Sequence, residues 1–86
     1  MSYSISKDFV WKEVGDRVIV LHLESGRYSS LNPSGSVIWR GLMEKQSEAD
    51  IATRLCGVFD VCEEEARKDT QEMIQLFLEK KTIIQD

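Results

Sequence analysis

The chain has 86 residues and a net charge of −4, and 42% of its residues are hydrophobic. This length predicts one domain over residues 1–86 with a modest core, and the acidic balance disfavours a nucleic-acid partner. No apolar run approaches the roughly 20 residues that span a bilayer. The first residues also lack the basic-then-apolar order of a signal peptide. We therefore expect a cytoplasmic protein without a membrane partner.

The first third of the chain has the pattern of a small antiparallel sheet. Strands are predicted over residues 8–14, 17–24 and 27–31, from runs of β-branched and aromatic residues. Gly15 and Gly26 lie in the short connections between them, so consecutive strands should pair as hairpins.

The second predicted strand is apolar on both faces. Ile19, Leu21 and Leu23 alternate along one face, and Val18 and Val20 make the other face partly apolar. This pattern indicates that something covers both faces, at least locally.

From residue 32 onward the hydrophobic spacing becomes helical. Asn32 is a good N-cap, Pro33 suits the first helical position, and a second helix begins near Ser47. A third helix carries carboxylates at residues 63–65 in its first turn, and a short extended piece follows at 83–84. Three strands followed by three helices predict an α+β, winged-helix-like domain.

The third predicted helix has two adjacent stripes at helical spacing. Its main inward stripe consists of Ala66, Thr70, Met73 and Phe77. One flank consists of Arg67, Gln71, Ile74 and Leu78. Ile74 and Leu78 fit either a plain core role or the wall of a groove.

The residue types that carry catalysis are sparse. His22 lies within a strand pattern, and the spacing of Cys56 and Cys62 fits neither a redox motif nor a common zinc site. We expect two reduced thiols, with a disulfide or a metal pair as the alternative. The acidic run at 63–65 is explained by the helix dipole. We therefore predict a protein that is not an enzyme and that needs neither a cofactor nor a metal.

A DNA-binding regulator is one alternative, since winged helices often read DNA. The cationic candidates on the helices are Arg54, Arg67 and Lys68, but carboxylates surround all of them. Their repulsion of phosphate would offset the attraction of the cations. A non-catalytic structural subunit of an enzyme complex is a second alternative.

The third strand offers a different use. The run RYSSL contains neither Pro nor Lys, the residues that commonly block a sheet edge. A guest peptide could add to this edge as a further strand, and we expect the backbone N–H of Ser29 to face it. The flank of the third helix would form the far wall of the groove.

Two longer runs resemble a known family. They are ESGRY-x-x-LN-x-x-G-x-x-IW over residues 24–39 and FDV-x-x-E-x-A over 59–66. The chain resembles the PqqD-like family, the precursor-peptide recognition domains of ribosomal peptide natural-product pathways. It lacks the proline-containing stretch of the pyrroloquinoline quinone members at 23–26, and so looks closer to stand-alone members of lasso-type and other clusters.

The resemblance implies a winged-helix domain that binds the leader region of a precursor peptide and delivers it to a modifying enzyme. That enzyme would be a radical SAM protein or a transglutaminase-like leader peptidase. The leader would add beside the third strand and pack against the third helix. The peptide-binding residues expected on this basis are Arg27, Tyr28, Ser29, Ser30, Leu31, Arg67, Thr70, Gln71, Ile74 and Leu78.

Overall fold

A computed structural model describes residues 2–86. The elements in chain order are β1 (Tyr3–Ile5), β2 (Phe9–Val14), β3 (Arg17–His22), β4 (Tyr28–Ser30), α1 (Pro33–Met43), α2 (Glu48–Val58), α3 (Glu63–Glu79) and β5 (Ile83–Gln85). Strands β2, β3 and β4 form an antiparallel sheet in that order, and the three helices follow it. The predicted α+β arrangement is confirmed. The third strand is shorter than the expected 27–31.

Strand β1 was not predicted, because its three residues carry no distinctive pattern. It pairs with β5 in a separate two-stranded antiparallel sheet, in which Tyr3 lies opposite Gln85 and Ile5 opposite Ile83. The extended piece expected at 83–84 is therefore a strand. The first and last segments of the described chain pair with each other, and neither covers the edge of β4.

The sheet packs its Val18 and Val20 face against the helices. Val18 is fully buried and Val20 is 5% exposed, whereas Ile19 and Leu21 on the opposite face are only half-buried. The expectation that both faces are covered is thus only partly met. The face of β3 with Val18 and Val20 therefore packs on the core, although these side chains are smaller than Ile19 and Leu21 on the other face.

Helices α1 and α2 begin where their capping residues predict. The side chain of Asn32 accepts the backbone N–H of Gly35 at 2.7 Å, and Pro33 takes the first helical position. The hydroxyl of Ser47 accepts the N–H of Asp50 at 3.1 Å. Each cap satisfies an N–H that has no partner within its own helix.

Helix α1 lies in the centre of the core. Trp39 is fully buried, with its ring edge-to-face against Phe77 at 5.2 Å and Trp11 at 6.1 Å between centroids. Gly41 lets α2 approach closely, because a Cβ atom there would lie 2.6 Å from Cγ1 of Ile51. These contacts hold α1 between the sheet and the other two helices.

A buried serine ties α1 to two strands. The hydroxyl of Ser36 accepts the backbone N–H of Val18 at 2.9 Å and donates to the carbonyl oxygen of Leu31 at 3.3 Å. Leu31 in turn donates its own N–H to the carbonyl oxygen of Val18 at 2.9 Å. Ser36 thus completes the end of the β3–β4 ladder and fixes the strand against the helix.

A carboxylate near the end of the chain clamps β1 and β5 together. Asp86 accepts hydrogen bonds from the hydroxyls of Ser4 at 2.6 Å and Ser2 at 2.8 Å, and from Nζ of Lys45 at 2.9 Å. The Ser4 hydrogen bond first, and then Lys45, lower the pKa of Asp86 from 3.8 to about 2. Lys45 also donates to the carbonyl oxygen of Tyr3 at 2.6 Å.

None of the helices within residues 2–86 is both long and apolar enough to cross a membrane.

Candidate functional site

Strand β4 is an edge strand, hydrogen-bonded to β3 on one side. Two hydrogen bonds show which residues of β4 direct their backbone groups to β3, which is the phase of the ladder. Leu31 donates its N–H to the carbonyl oxygen of Val18 at 2.9 Å, and the carbonyl oxygen of Arg27 accepts the N–H of His22 at 2.8 Å.

The phase determines which backbone groups face outward. Alternate residues of an antiparallel strand direct their N–H and C=O groups to the same side, so Ser29 bonds to β3 as Arg27 and Leu31 do. The groups of Tyr28 and Ser30 point the other way, and they meet no partner within residues 2–86. The expectation that the N–H of Ser29 faces the open edge was therefore wrong by one residue.

A groove of about 770 Å³ lies beside this edge, between β4 and α3. We call it the β4–α3 groove. Its lining residues are Phe9, Val20, His22, Ser25, Arg27, Ser29, Ser30, Leu31, Asn32, Met73, Leu76, Phe77, Lys80 and Thr82. The open backbone edge and the cavity are thus adjacent, which is the arrangement that strand addition needs.

Four of the five expected strand residues line the β4–α3 groove, namely Arg27, Ser29, Ser30 and Leu31. Leu31 is half-buried and packs against the core. Tyr28 is 71% exposed and is not among the lining residues. Its side chain lies on the same face of the sheet as its partner Leu21, away from the helices.

The helix wall differs from the expected one. It is formed by Met73, Leu76, Phe77 and Lys80. Met73 and Phe77 had been assigned to the inward stripe alone, and Leu76 and Lys80 had not been proposed for the site. Their spacing of three, four and seven residues was a signal in the sequence, since it places them on one side of a helix.

The five expected helix residues lie elsewhere, so their assignment to this wall is corrected. Thr70 is fully buried and Ile74 is 3% exposed, so both belong to the core, and Leu78 is half-buried against it. Arg67 and Gln71 line a different depression together with residues 48–49 of α2. They occupy the flank of α3 that faces away from β4.

Within residues 2–86, no three His, Cys, Asp or Glu side chains are placed to hold a metal ion. Cys56 and Cys62 are both free. Nδ1 of His22 lies 2.7 Å from the hydroxyl oxygen of Ser25, and its ring packs on Phe9 at 4.8 Å. His22 thus helps to shape one end of the β4–α3 groove.

Comparisons with known proteins agree with this geometry. The family model described as coenzyme PQQ synthesis protein D (PqqD) matches residues 17–83. The structure of TbiB1 in complex with the TbiA(beta) leader peptide is 27% identical in sequence, with a TM-score of 0.82 over 100% of both chains. A lasso peptide synthetase B1 complexed with the leader peptide is 20% identical, with a TM-score of 0.88 over 99% of this chain and 100% of that one. No protein with a curated description matches the sequence significantly.

Proposed function

Because the chain belongs to the PqqD family, we propose that it binds the leader region of a ribosomally made precursor peptide and presents it to a modifying enzyme. The observation that carries the proposal is the open backbone edge of β4 beside the β4–α3 groove. The full-length similarity to TbiB1, whose structure contains a leader peptide, supports the same conclusion.

The bound leader forms a fourth strand next to β4. Its backbone pairs with the outward N–H and C=O groups of Tyr28 and Ser30, and each such bond contributes about 0.5–1.5 kcal/mol net. Alternate guest side chains enter the groove against Leu76 and Phe77. Full burial of one Leu-sized side chain contributes about 1.5–3 kcal/mol. The backbone bonds and the apolar anchors therefore make contributions of similar size, and the backbone bonds also set the register.

The protein acts as a carrier and not as a catalyst in this scheme. The chemistry belongs to the partner enzyme, a radical SAM protein or a transglutaminase-like leader peptidase. The two solved structures similar to this chain are complexes with leader peptides, and one is a lasso peptide synthetase component. We accordingly favour a lasso-type or related pathway over pyrroloquinoline quinone synthesis. We place the protein in the cytoplasm, where precursor peptides are made.

Ion pairs on the helices weigh against a DNA-binding role. Arg54 pairs with Glu44 at 3.2 Å, and Arg67 pairs with Glu63 at 3.1 Å. These carboxylates oppose phosphate binding at the same surface. Arg54 and Arg67 are therefore not free to meet the backbone of a duplex.

Amide chemical shifts test the proposal. Isotope-labelled protein would be titrated with a synthetic leader region from the precursor gene beside its own, and separately with duplex DNA. We expect the leader to shift residues 28–31 and 73–80, and the DNA to shift neither. Leader-induced shifts confined to α1 and α2 would contradict strand addition, and salt-sensitive shifts with DNA alone would support the regulator.

A further inference from the structure

The β4–α3 groove is positively charged in an acidic protein. The net charge is −4, yet the fully charged side chains that line the groove are Arg27 and Lys80. The side chain of neither residue forms an ion pair or a hydrogen bond within residues 2–86, although the backbone N–H of Arg27 donates to the hydroxyl oxygen of Ser25 at 3.2 Å. Both are exposed, so both are available to an anionic guest.

The two cations lie towards the same end of the groove. The carbonyl oxygen of Arg27, the residue before β4, accepts the N–H of His22, and Lys80 follows the last turn of α3. The carbonyl oxygen of Thr82, two residues after Lys80, accepts the N–H of Ser6, close to where β2 begins. Phe9 of β2 packs on His22, so this series of contacts places the end of α3 and the residue before β4 at the same end of the groove.

The charge is opposite at the other end. A smaller depression continues past Asn32 and shares Met73 and Leu76 with the β4–α3 groove. It is lined by Asp69 and Glu72, one helical turn earlier on α3. The potential therefore changes from negative near Asn32 to positive near Arg27.

The helix-facing positions of β4 set the spacing of a guest. Arg27, Ser29 and Leu31 share one face, so three alternate guest side chains lie beside them. Leu31 is apolar and Ser29 is small, so the positions beside them suit apolar guest side chains, which Leu76 and Phe77 on the α3 side of the groove can contact. Next to Arg27 the guest side chain meets the two cations.

From this geometry we propose that the groove selects a leader segment with apolar, apolar and acidic residues at three alternate positions, the acidic one at the Arg27 and Lys80 end. This inference rests on the proposed function and adds the sequence that the site prefers. A carboxylate there forms charge-assisted hydrogen bonds, which Arg makes in a bidentate geometry. The same segment in the opposite direction places its carboxylate near Asp69 and Glu72, where like charges repel it. The charge pattern thus fixes the direction of the guest as well as its composition.

Selection from a random peptide library tests the preference. Immobilised wild-type protein would select from displayed peptides of about 12 residues, long enough to cross the groove as a strand. Parallel selections would use the Arg27→Glu/Lys80→Glu variant and a matched control, Lys12→Glu/Arg17→Glu, whose exposed positions lie at the sheet away from the groove.

We expect wild type and control to enrich peptides with two apolar residues at alternate positions and Asp or Glu at the next alternate position on one side of them. The groove variant should enrich Lys or Arg at that position instead. Enriched peptides that lack the acidic position, or an acidic preference that survives charge reversal in the groove, would overturn the inference. If those peptides still lose affinity with Ser30→Pro, strand addition stands and only the charge preference fails. If no peptide is enriched, or if Ser30→Pro binds as well as wild type, the proposed function itself fails.

Discussion

Val18 donates its backbone N–H to the buried hydroxyl oxygen of Ser36 at 2.9 Å, so a helix side chain occupies a place in the sheet ladder. Ser36→Ala removes this acceptor and leaves the buried N–H without a partner. We expect the variant to lose about 1–3 kcal/mol of unfolding free energy, the usual cost of an unsatisfied buried group. Urea denaturation measures the loss.

Ser34→Ala is the matched control for Ser36→Ala. Ser34 lies in the same helix, and its hydroxyl donates to the side chain of Asn32 at 3.2 Å without contacting the sheet. Its substitution should change stability by less than about 0.5 kcal/mol. Equal losses in the two variants would show that the link between Ser36 and the ladder does not stabilise the fold.

Proline at neighbouring positions of β4 should separate binding from folding. Ser30→Pro removes an N–H that points to the open edge, so the protein stays folded while leader affinity falls roughly tenfold, the equivalent of one hydrogen bond. Ser29→Pro removes an N–H that bonds to β3, so stability falls instead. Thermal unfolding and leader titration of both variants check this contrast. A folded Ser30→Pro protein with wild-type affinity would contradict strand addition at β4.

The two flanks of α3 should contribute unequally to binding. Leu76 lines the β4–α3 groove and is 41% exposed in the free protein. Leu76→Ala should therefore weaken leader binding at least tenfold, since a guest buries this side chain, while stability changes little. Gln71→Ala, on the other flank, should leave affinity unchanged. Titration calorimetry measures the leader affinity of both variants. An equal loss of affinity in Gln71→Ala would show that the flank with Arg67 and Gln71 also binds the leader.

Local signals in the sequence were sufficient for the order of the elements from β2 onward, but not for β1. Asn32 and Ser47 mark helix starts because a capping hydrogen bond involves residues within one turn. The hairpin turn at Gly26 was likewise readable, since its φ of +73° is one that glycine adopts without strain. Such features depend on neighbours in the chain, so a sequence pattern contains them.

The details of the site depend on contacts between distant residues, and here the sequence predictions held for four of the five strand residues and failed for the helix residues. Successive residues of an α-helix are rotated by roughly 100° about its axis, so Arg67 and Leu76 lie on opposite sides of α3. Both sides mix polar and apolar residues. Only the packing of α3 against the sheet decides which side borders β4. The pairing of β4 with Val18 and Val20 decides in the same way that the N–H of Ser30 points to the open edge. The sequence does not reveal this pairing, because Tyr28 and Leu31 alternate onto opposite faces of the strand.

The hydrogen bonds and ion pair at Asp86 should make the unfolding free energy of the protein depend on pH in the acidic range. Hydrogen bonds from Ser4, and then from Lys45, lower the pKa of Asp86 from 3.8 to about 2 in the folded state. Because the folded pKa lies below the unfolded one, the stabilisation is fully present above pH 3.8 and is lost as the pH falls through about 2. The β1–β5 sheet should therefore loosen at low pH before the rest of the fold does.

Comparison of Ser4→Ala with wild type across this range checks the sign. The variant removes the strongest hydrogen bond to Asp86, so its carboxyl should titrate closer to 3.8 in a carbon-detected NMR experiment. Its unfolding free energy should fall below that of wild type above pH 3.8 and converge with it near pH 2. Ser25→Ala, an exposed serine whose hydroxyl contacts His22 and not the clamp, serves as the control. A constant difference between Ser4→Ala and wild type at all pH values would show that Asp86 does not stabilise the β1–β5 sheet through its charge.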